Sequence, residues 1–190
     1  MMKFLTTALF LGLSFLSSSQ TQQCNYKIQV DTEEEKFFLT QEVLVDYILG
    51  KDKNVFIYFS GMREGDVKSL VLQFSVNATV LPPALCFNKD SRVSFKLEDG
   101  SFVSLRYLGE KICGRQTENE DTLHNSTSDA AFLIDDIAFE RLSSSKTVSM
   151  RITTMKSHFD IKFQELISNP QIELPIYPKE FFMNTLKCLE

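Results

Sequence analysis

The sequence contains no tryptophan, two histidines and seven glycines among its 190 residues. The glycines form neither a Gly-x-Gly-x-x-Gly pattern nor a P-loop, which leaves nucleotide cofactors without a binding motif. The histidines and cysteines lack the close spacing with which zinc ligands usually occur. The sequence therefore predicts no cofactor, no metal site and no recognisable catalytic residue.

Basic residues are fewer than acidic residues. The chain has 20 Lys and Arg and 25 Asp and Glu, which gives a formal net charge of -5. Nucleic-acid-binding domains usually carry a basic stripe, and docking on anionic lipid needs basic residues as well. Composition therefore argues against both partners. After residue 20 no apolar run reaches the 18 residues typical of a membrane-spanning helix, so we expect no membrane span.

Residues 1–19 have the three-part layout of a secretory signal peptide. Lys3 supplies a positive charge, residues 4–16 are mainly apolar, and serines follow up to Ser19. The apolar part is about 13 residues long, whereas a membrane-spanning helix needs roughly 20. We predict cleavage near Ser19, a secreted or periplasmic protein, and one β-rich domain over residues 20–190.

The clearest structural pattern is a hairpin, since residues 93–97 and 103–107 alternate between apolar and polar side chains. A two-residue turn would place Phe95 opposite Ser104 and so mix apolar and polar residues on one face. A three-residue turn pairs Phe95 with Val103 and gives Gly100 a left-handed position that suits glycine. We choose the second register because all apolar side chains then share one face.

Four cysteines follow the predicted cleavage site, in a compartment that permits disulfides. The hairpin favours a bond between Cys86 and Cys113, although its register leaves the two one residue apart, so that a bulge near Gly109 is required. Cys24 would then pair with Cys188. The sequence alone leaves the other two pairings open. Lipidation of Cys24 is disfavoured because polar residues precede it.

The remaining segments supply further predicted strands and turns. Residues 55–60 are apolar on both faces, as in a central strand, residues 70–76 alternate, and residues 148–153 and 159–164 indicate a second hairpin. We expect a turn over residues 61–66 and an exposed loop over residues 114–129. Residues 130–142 fit either a strand or a helix capped by Ser128.

Pro178 suits the first turn of a terminal helix. Taken together, the patterns predict a mostly β protein, with an antiparallel β-sandwich-like domain and a short C-terminal helix.

Several of these segments resemble small secreted proteins of unknown function from Bacteroidetes-type bacteria. The resemblance rests on a Ser-Gln pair at the predicted cleavage site, the hairpin of residues 93–100 between Cys86 and Cys113, and the segments 150–153, 158–163 and 181–188. It implies a periplasmic or extracellular bacterial protein with a β-rich fold. It supplies no site residues.

The functional interpretation is correspondingly broad. We expect a secreted, non-catalytic binding or structural module whose ligand is a protein, a glycan or a small apolar molecule. The alternative is a small secreted hydrolase, whose active site would use His124 or His158 near a carboxylate or serine. Both histidines are interpreted as solvated surface residues, and the acidic clusters at residues 31–35, 118–121 and 135–136 as solvated loops, because no EF-hand spacing is present.

Overall fold

The structure is a computed structural model that describes residues 24–120, 122–168 and 174–190. The predicted signal peptide, residues 1–19, lies outside the described residues. The strands are β1 (Tyr26–Asp31), β2 (Lys36–Thr40), β3 (Val43–Leu49), β4 (Lys53–Glu64), β5 (Val67–Ala78), β6 (Cys86–Phe87), β7 (Arg92–Leu97), β8 (Phe102–Tyr107), β9 (Ile112–Cys113), β10 (Arg115–Thr117), β11 (His124–Leu133), β12 (Thr147–Thr153) and β13 (His158–Lys162). The helices are α1 (Asp136–Ser144) and α2 (Phe181–Thr185), and short 3-10 turns flank α2 at Pro178–Glu180 and Leu186–Leu189.

Eleven strands form one antiparallel sheet in the order β1-β2-β4-β5-β11-β8-β7-β12-β13, with β3 paired to β4 and β10 paired to β11. The connection between β11 and β8 is narrow, because only Phe132 with Tyr107 and Leu133 with Arg106 are paired there. The strands on the two sides of this connection face each other as two layers. The predicted mostly β, antiparallel sandwich-like fold with a short C-terminal helix is confirmed.

Aromatic side chains fill the space between the layers. Phe59 on β4 lies 6.0 Å from Phe95 on β7, measured between ring centroids, and 6.1 Å from Phe163 just beyond β13. The C-terminal helical segment completes this cluster with Phe181 and Phe182, at 5.2 Å and 6.1 Å from Phe59. Aromatic pairs of this kind contribute about 0.5–1.5 kcal/mol each beyond the area that they bury.

The hairpin of β7 and β8 has the predicted three-residue turn. Phe95 lies opposite Val103, and Val93 lies opposite Leu105. Gly100 has a φ of 83°, in the left-handed region that glycine adopts without steric cost. Its amide donates a hydrogen bond to the carbonyl oxygen of Leu97 at 3.0 Å, which closes the turn.

The structure contains the Cys86–Cys113 disulfide that the hairpin favours and the Cys24–Cys188 disulfide that then remains. Cys86 and Cys113 are direct cross-strand partners on β6 and β9. The one-residue change in register relative to β7 and β8 occurs between Tyr107 and Ile112, the stretch that includes Gly109. Strands β6 and β9 form a separate two-stranded sheet. The register therefore changes where the pairing of β7 and β8 has ended, and not at a bulge within one continuous hairpin.

The predicted turn over residues 61–66 is wrong in its first part. Strand β4 continues to Glu64, and only Gly65 and Asp66 form the turn. Gly61 lies inside β4 because the C-terminal segment packs directly on it, and a Cβ atom there would come within 3.0 Å of Leu189 Cδ1 and Thr185 Cγ2. This glycine provides close approach between elements rather than a turn.

The predicted exposed loop over residues 114–129 is also wrong. It contains β10 and the first half of β11, and β11 pairs with β5 along its whole length. Ser126 and Ser128 point inward and are buried. The Ser128 hydroxyl accepts a hydrogen bond from the Leu85 amide at 2.9 Å, which satisfies part of its polarity without water.

Residues 130–142, which the sequence leaves open between strand and helix, contain the end of β11 and most of α1. The helix is capped by Asp135, whose carboxylate accepts a hydrogen bond from the Ala138 amide at 2.8 Å, and not by Ser128. Ala138 and Leu142 face the core.

Within the described residues, none of the helices has both the length and the apolar character that crossing a membrane requires.

Candidate functional site

The candidate site is the outer face of the layer formed by β8, β7, β12 and β13. Strand β7 buries Val93, Phe95 and Leu97 between the layers. Because side chains alternate along a strand, the residues between them point outward. Strands β8, β12 and β13 alternate in the same way, which produces a continuous face of outward side chains.

Twelve outward side chains form three rows that cross the strands in the order β8, β7, β12, β13. The first row is Arg106, Arg92, Thr153 and His158; the second is Ser104, Ser94, Arg151 and Asp160; the third is Phe102, Lys96, Ser149 and Lys162. We call these twelve residues the basic face, because they include five arginine and lysine side chains and a single carboxylate.

The charge of this face is opposite in sign to that of the whole chain, whose formal net charge is -5. Among the described residues, Arg151 is the only one of the five cations with a salt bridge to a carboxylate. The other four cations are exposed. The basic face is therefore a local region of positive potential on a protein that is acidic overall.

Arg92 and Arg106 are direct cross-strand partners on this face. Like charges placed directly opposite each other lower the stability of a sheet. An anion bound between the two guanidinium groups would remove this repulsion. Guanidinium groups also match the geometry of carboxylate, sulfate and phosphate oxygens, with two parallel hydrogen bonds to one anion.

Arg151 and Asp160 form a bidentate ion pair at the centre of the outer strands. Arg151 Nε donates to Asp160 Oδ1 at 2.6 Å, and Arg151 Nη2 donates to Asp160 Oδ2 at 2.7 Å. The hydrogen bonds from Arg151 lower the pKa of Asp160. Asp160 raises the pKa of Arg151 in return. The pair fixes the orientation of one guanidinium group on the face.

Small hydroxyl side chains lie between the cations. Ser94 Oγ and Ser104 Oγ are 2.6 Å apart across β7 and β8, and Ser149 and Thr153 occupy β12. The face has a shallow depression of about 800 Å³. Its lining combines outward side chains of the basic face, among them Arg92, Lys96, Arg151 and Lys162, with the apolar residues Phe102, Val148, Met150 and Ile161.

A second depression, of about 380 Å³, lies beside the Cys24–Cys188 disulfide. Its lining combines apolar side chains, among them Val43 and Phe181, with the polar side chains of Asn25, Gln41 and Asn184. None of the described residues that line it is charged. The described lining of this depression therefore offers hydrogen bonds and apolar contacts to a ligand, but not the charge that the basic face offers.

The two histidines occupy different layers. His158 begins β13 and is exposed at one corner of the basic face, whereas His124 begins β11 in the other layer. His124 Nδ1 accepts a hydrogen bond from the Asn119 amide at 3.2 Å, so this half-buried ring helps to close the segment before β11. Neither histidine lines either of the two depressions.

No three or more His, Cys, Asp or Glu side chains approach closely enough to hold a metal ion in the part of the chain that the structure describes. Asp121, in the acidic segment of residues 118–121, lies outside that part.

Sequence reasoning missed the basic face. The alternation of Arg92, Ser94 and Lys96 is visible in the sequence, but nothing local shows that β12 pairs with β7 and extends the face. Comparison with protein-family models, curated proteins and solved structures finds no significant match to this chain.

Proposed function

We propose that the protein is a secreted, non-catalytic binding module that holds an anionic ligand on the basic face. One observation carries the proposal: five cations and one carboxylate occupy a single solvent-facing surface of a chain whose formal net charge is -5. A random surface of an acidic protein would carry more carboxylates than cations. The concentration of positive charge attracts anions and raises their rate of encounter.

The rigidity of the face also supports a binding role. Its side chains project from four paired strands and not from loops, so their spacing is fixed by the registers of the sheet. Sites built on strands hold their groups more accurately than sites built on loops. A ligand with several anionic groups would then meet cations whose backbone positions are already fixed, so only their side chains have to be ordered on binding.

The proposed secreted setting rests on three supports. Residues 1–19 have the layout of a signal peptide, the four cysteines form two disulfides, and such bonds persist mainly outside the cytoplasm. The resemblance to secreted bacterial proteins implies the same setting. A periplasmic or extracellular location would expose the basic face to anionic polymers of the cell surface or its surroundings.

The test compares two double variants that remove the same charge. Arg92→Gln with Arg106→Gln changes the basic face, and Lys51→Gln with Arg115→Gln changes exposed cations in a turn and in β10 of the other layer. Binding of the mature, oxidised protein to dextran sulfate, polyphosphate and poly-glutamate is measured by calorimetry. We expect at least one probe to bind, and the first variant alone to weaken it about tenfold or more. Equal weakening by both variants, or no binding, would contradict the proposal.

A further inference from the structure

Resting on the proposed function, we infer that the ligand of the basic face is an acidic polysaccharide whose chain runs diagonally across β8, β7, β12 and β13. The inference comes from three properties of the face: the line along which the cations lie, the hydroxyl groups between them, and the scarcity of apolar and aromatic side chains. Each property selects among the classes of anionic ligand.

Four cations follow one diagonal of the face. Arg106 and Arg92 lie in the first row on neighbouring strands, Arg151 lies in the second row on the next strand, and Lys162 lies in the third row on the last. Neighbouring strands are about 4.8 Å apart and residues along a strand about 3.3 Å apart. The Cα atoms of Arg106 and Lys162 are therefore about 20 Å apart. A single small anion cannot reach all four cations, whereas an extended polyanion can.

The hydroxyl groups favour a ligand that is rich in hydroxyls itself. Ser94 and Ser149 line the depression of the face. Ser104 lies opposite Ser94, and Thr153 lies opposite Arg92. A hydroxyl group both donates and accepts hydrogen bonds, so it matches the hydroxyls and ring oxygens of a sugar. A polymer that carries anionic groups and sugar hydroxyls together uses both kinds of side chain on this face.

The other classes of polyanion fit less well. Single-stranded nucleic acids bind proteins largely by stacking bases on aromatic side chains, and the twelve residues of the face include only Phe102 and His158 with such rings, at opposite corners and without a tyrosine or tryptophan. The centre of a protein–protein interface is usually apolar, which the rows of serines and cations are not. An acidic polysaccharide needs neither feature, because charge and hydroxyl contacts bind it along its length.

The experiment compares probes that separate charge from sugar. The mature, oxidised protein is titrated with heparin, which carries sulfates and carboxylates, and with polygalacturonate, which carries carboxylates only. Neutral dextran provides sugar without charge, and polyphosphate, poly-glutamate and a single-stranded oligonucleotide provide charge without a polysaccharide. We expect heparin or polygalacturonate to bind about tenfold or more tightly than every other probe at equal concentration of anionic groups. The stronger of the two identifies sulfate or carboxylate as the preferred group.

Substituted proteins then test whether the polysaccharide binds to the basic face. Arg92→Gln with Arg106→Gln is expected to weaken its binding about tenfold or more and to reduce the dependence of log K on log salt by about 1 for each removed cation. The control Lys51→Gln with Arg115→Gln is expected to leave both quantities unchanged. Ser94→Ala with Ser149→Ala is expected to weaken polysaccharide binding several-fold while leaving any polyphosphate binding unchanged. Thermal unfolding of each variant confirms that it is folded.

The length of the ligand provides an independent measurement. Heparin fragments of increasing length are expected to gain affinity until they span about 20 Å, the distance over which the four cations extend, and to gain little beyond it. Affinity that is independent of length from the shortest fragment onward would overturn the diagonal arrangement.

The outcomes separate the inference from the proposed function. If polyphosphate, poly-glutamate or the oligonucleotide binds the same face as tightly as the polysaccharides do, the inference is overturned and the proposed anion-binding function is retained. If no polyanion binds, or if Arg92→Gln with Arg106→Gln binds like the unmodified protein, both are overturned.

Discussion

Arg92 and Arg106 lie opposite each other on neighbouring strands at one end of the basic face, and neither has an acidic partner among the described residues. The sheet thus retains a repulsive pair where an Arg–Glu pair would stabilise it. Retention of an unfavourable arrangement is common at binding sites, where stability is exchanged for recognition.

Replacing one of these arginines should therefore stabilise the fold while weakening the proposed binding of anions. Arg106→Glu converts the repulsive pair into an attractive one, and we expect the free energy of unfolding to rise by roughly 0.5–1 kcal/mol. The gain should shrink as salt is added, because exposed charges are screened. Urea denaturation at low and high salt measures this effect. A variant that is less stable at low salt would contradict the repulsion argument.

The two disulfides should contribute unequally to stability. Cys24–Cys188 spans 164 residues of sequence and Cys86–Cys113 spans 27. In the chain-entropy model, the longer loop stabilises the protein by about 5 kcal/mol and the shorter by about 3.5 kcal/mol. Urea unfolding of Cys24→Ser with Cys188→Ser should therefore show the larger loss when compared with Cys86→Ser with Cys113→Ser. The reverse order would show that the length of the closed loop does not determine how much each disulfide stabilises this protein.

Gly100 should tolerate asparagine better than valine. Its φ of 83° is accessible to glycine, is tolerated by asparagine, and is strained for a β-branched side chain. We expect Gly100→Val to cost roughly 1–2 kcal/mol of stability and Gly100→Asn to cost less. Because a Cβ atom at this position meets no neighbour within 4 Å, the difference would report backbone strain and not a clash. Equal melting temperatures for the two variants would contradict this reading.

Asp46 should make the protein less stable as pH rises. Burial raises the pKa of this half-buried carboxyl above its ordinary value of 3.8, while hydrogen bonds from Tyr47 and Gln164 oppose the shift. The folded state then holds the proton more tightly than the unfolded state does, so stability falls as pH rises from 3.8 through the higher folded pKa.

The variant Asp46→Asn removes this dependence. Its stability relative to the unmodified protein is expected to be higher at neutral pH than at pH values below 3.8. Chemical denaturation over this pH range measures the difference, and Asp31→Asn, at an exposed position on β1, is the control. A relative stability that does not change with pH would show that the folded and unfolded pKa values are equal.

Phe59 should be more important for stability than its neighbour Phe56. Phe59 is 1% exposed and contacts four aromatic rings, whereas Phe56 lies on the opposite, partly exposed face of β4. We expect Phe59→Ala to cost about 3–5 kcal/mol and Phe56→Ala to cost clearly less. Thermal unfolding of the two variants tests whether the core lies between the layers as described.

Local patterns in the sequence were sufficient for elements whose partners are near in sequence. The hairpin of β7 and β8 could be placed to the residue because an apolar face and Gly100 both selected one register. That register also favoured the Cys86–Cys113 bond, although it left the two cysteines one residue apart and the other two pairings open. These contacts involve short loops, so few alternatives compete.

Elements that depend on distant partners were not predictable in this way. Ser128 looks like a loop residue until the amide of Leu85, 43 residues away in the chain, donates a hydrogen bond to it. Gly61 looks like a turn residue until Leu189 packs on it. The basic face combines strands that are separated by some fifty residues, so its charge is dispersed in the sequence and concentrated only after folding.

The bond between Cys24 and Cys188 also determines how the domain responds to mechanical force. A pull applied to the chain outside these two residues would pass from one sulfur to the other, without loading the strands between them. The sheet would bear no tension while this bond is intact. A protein tethered through its two flanking segments would thus keep its fold, and the basic face with it, until the disulfide is reduced.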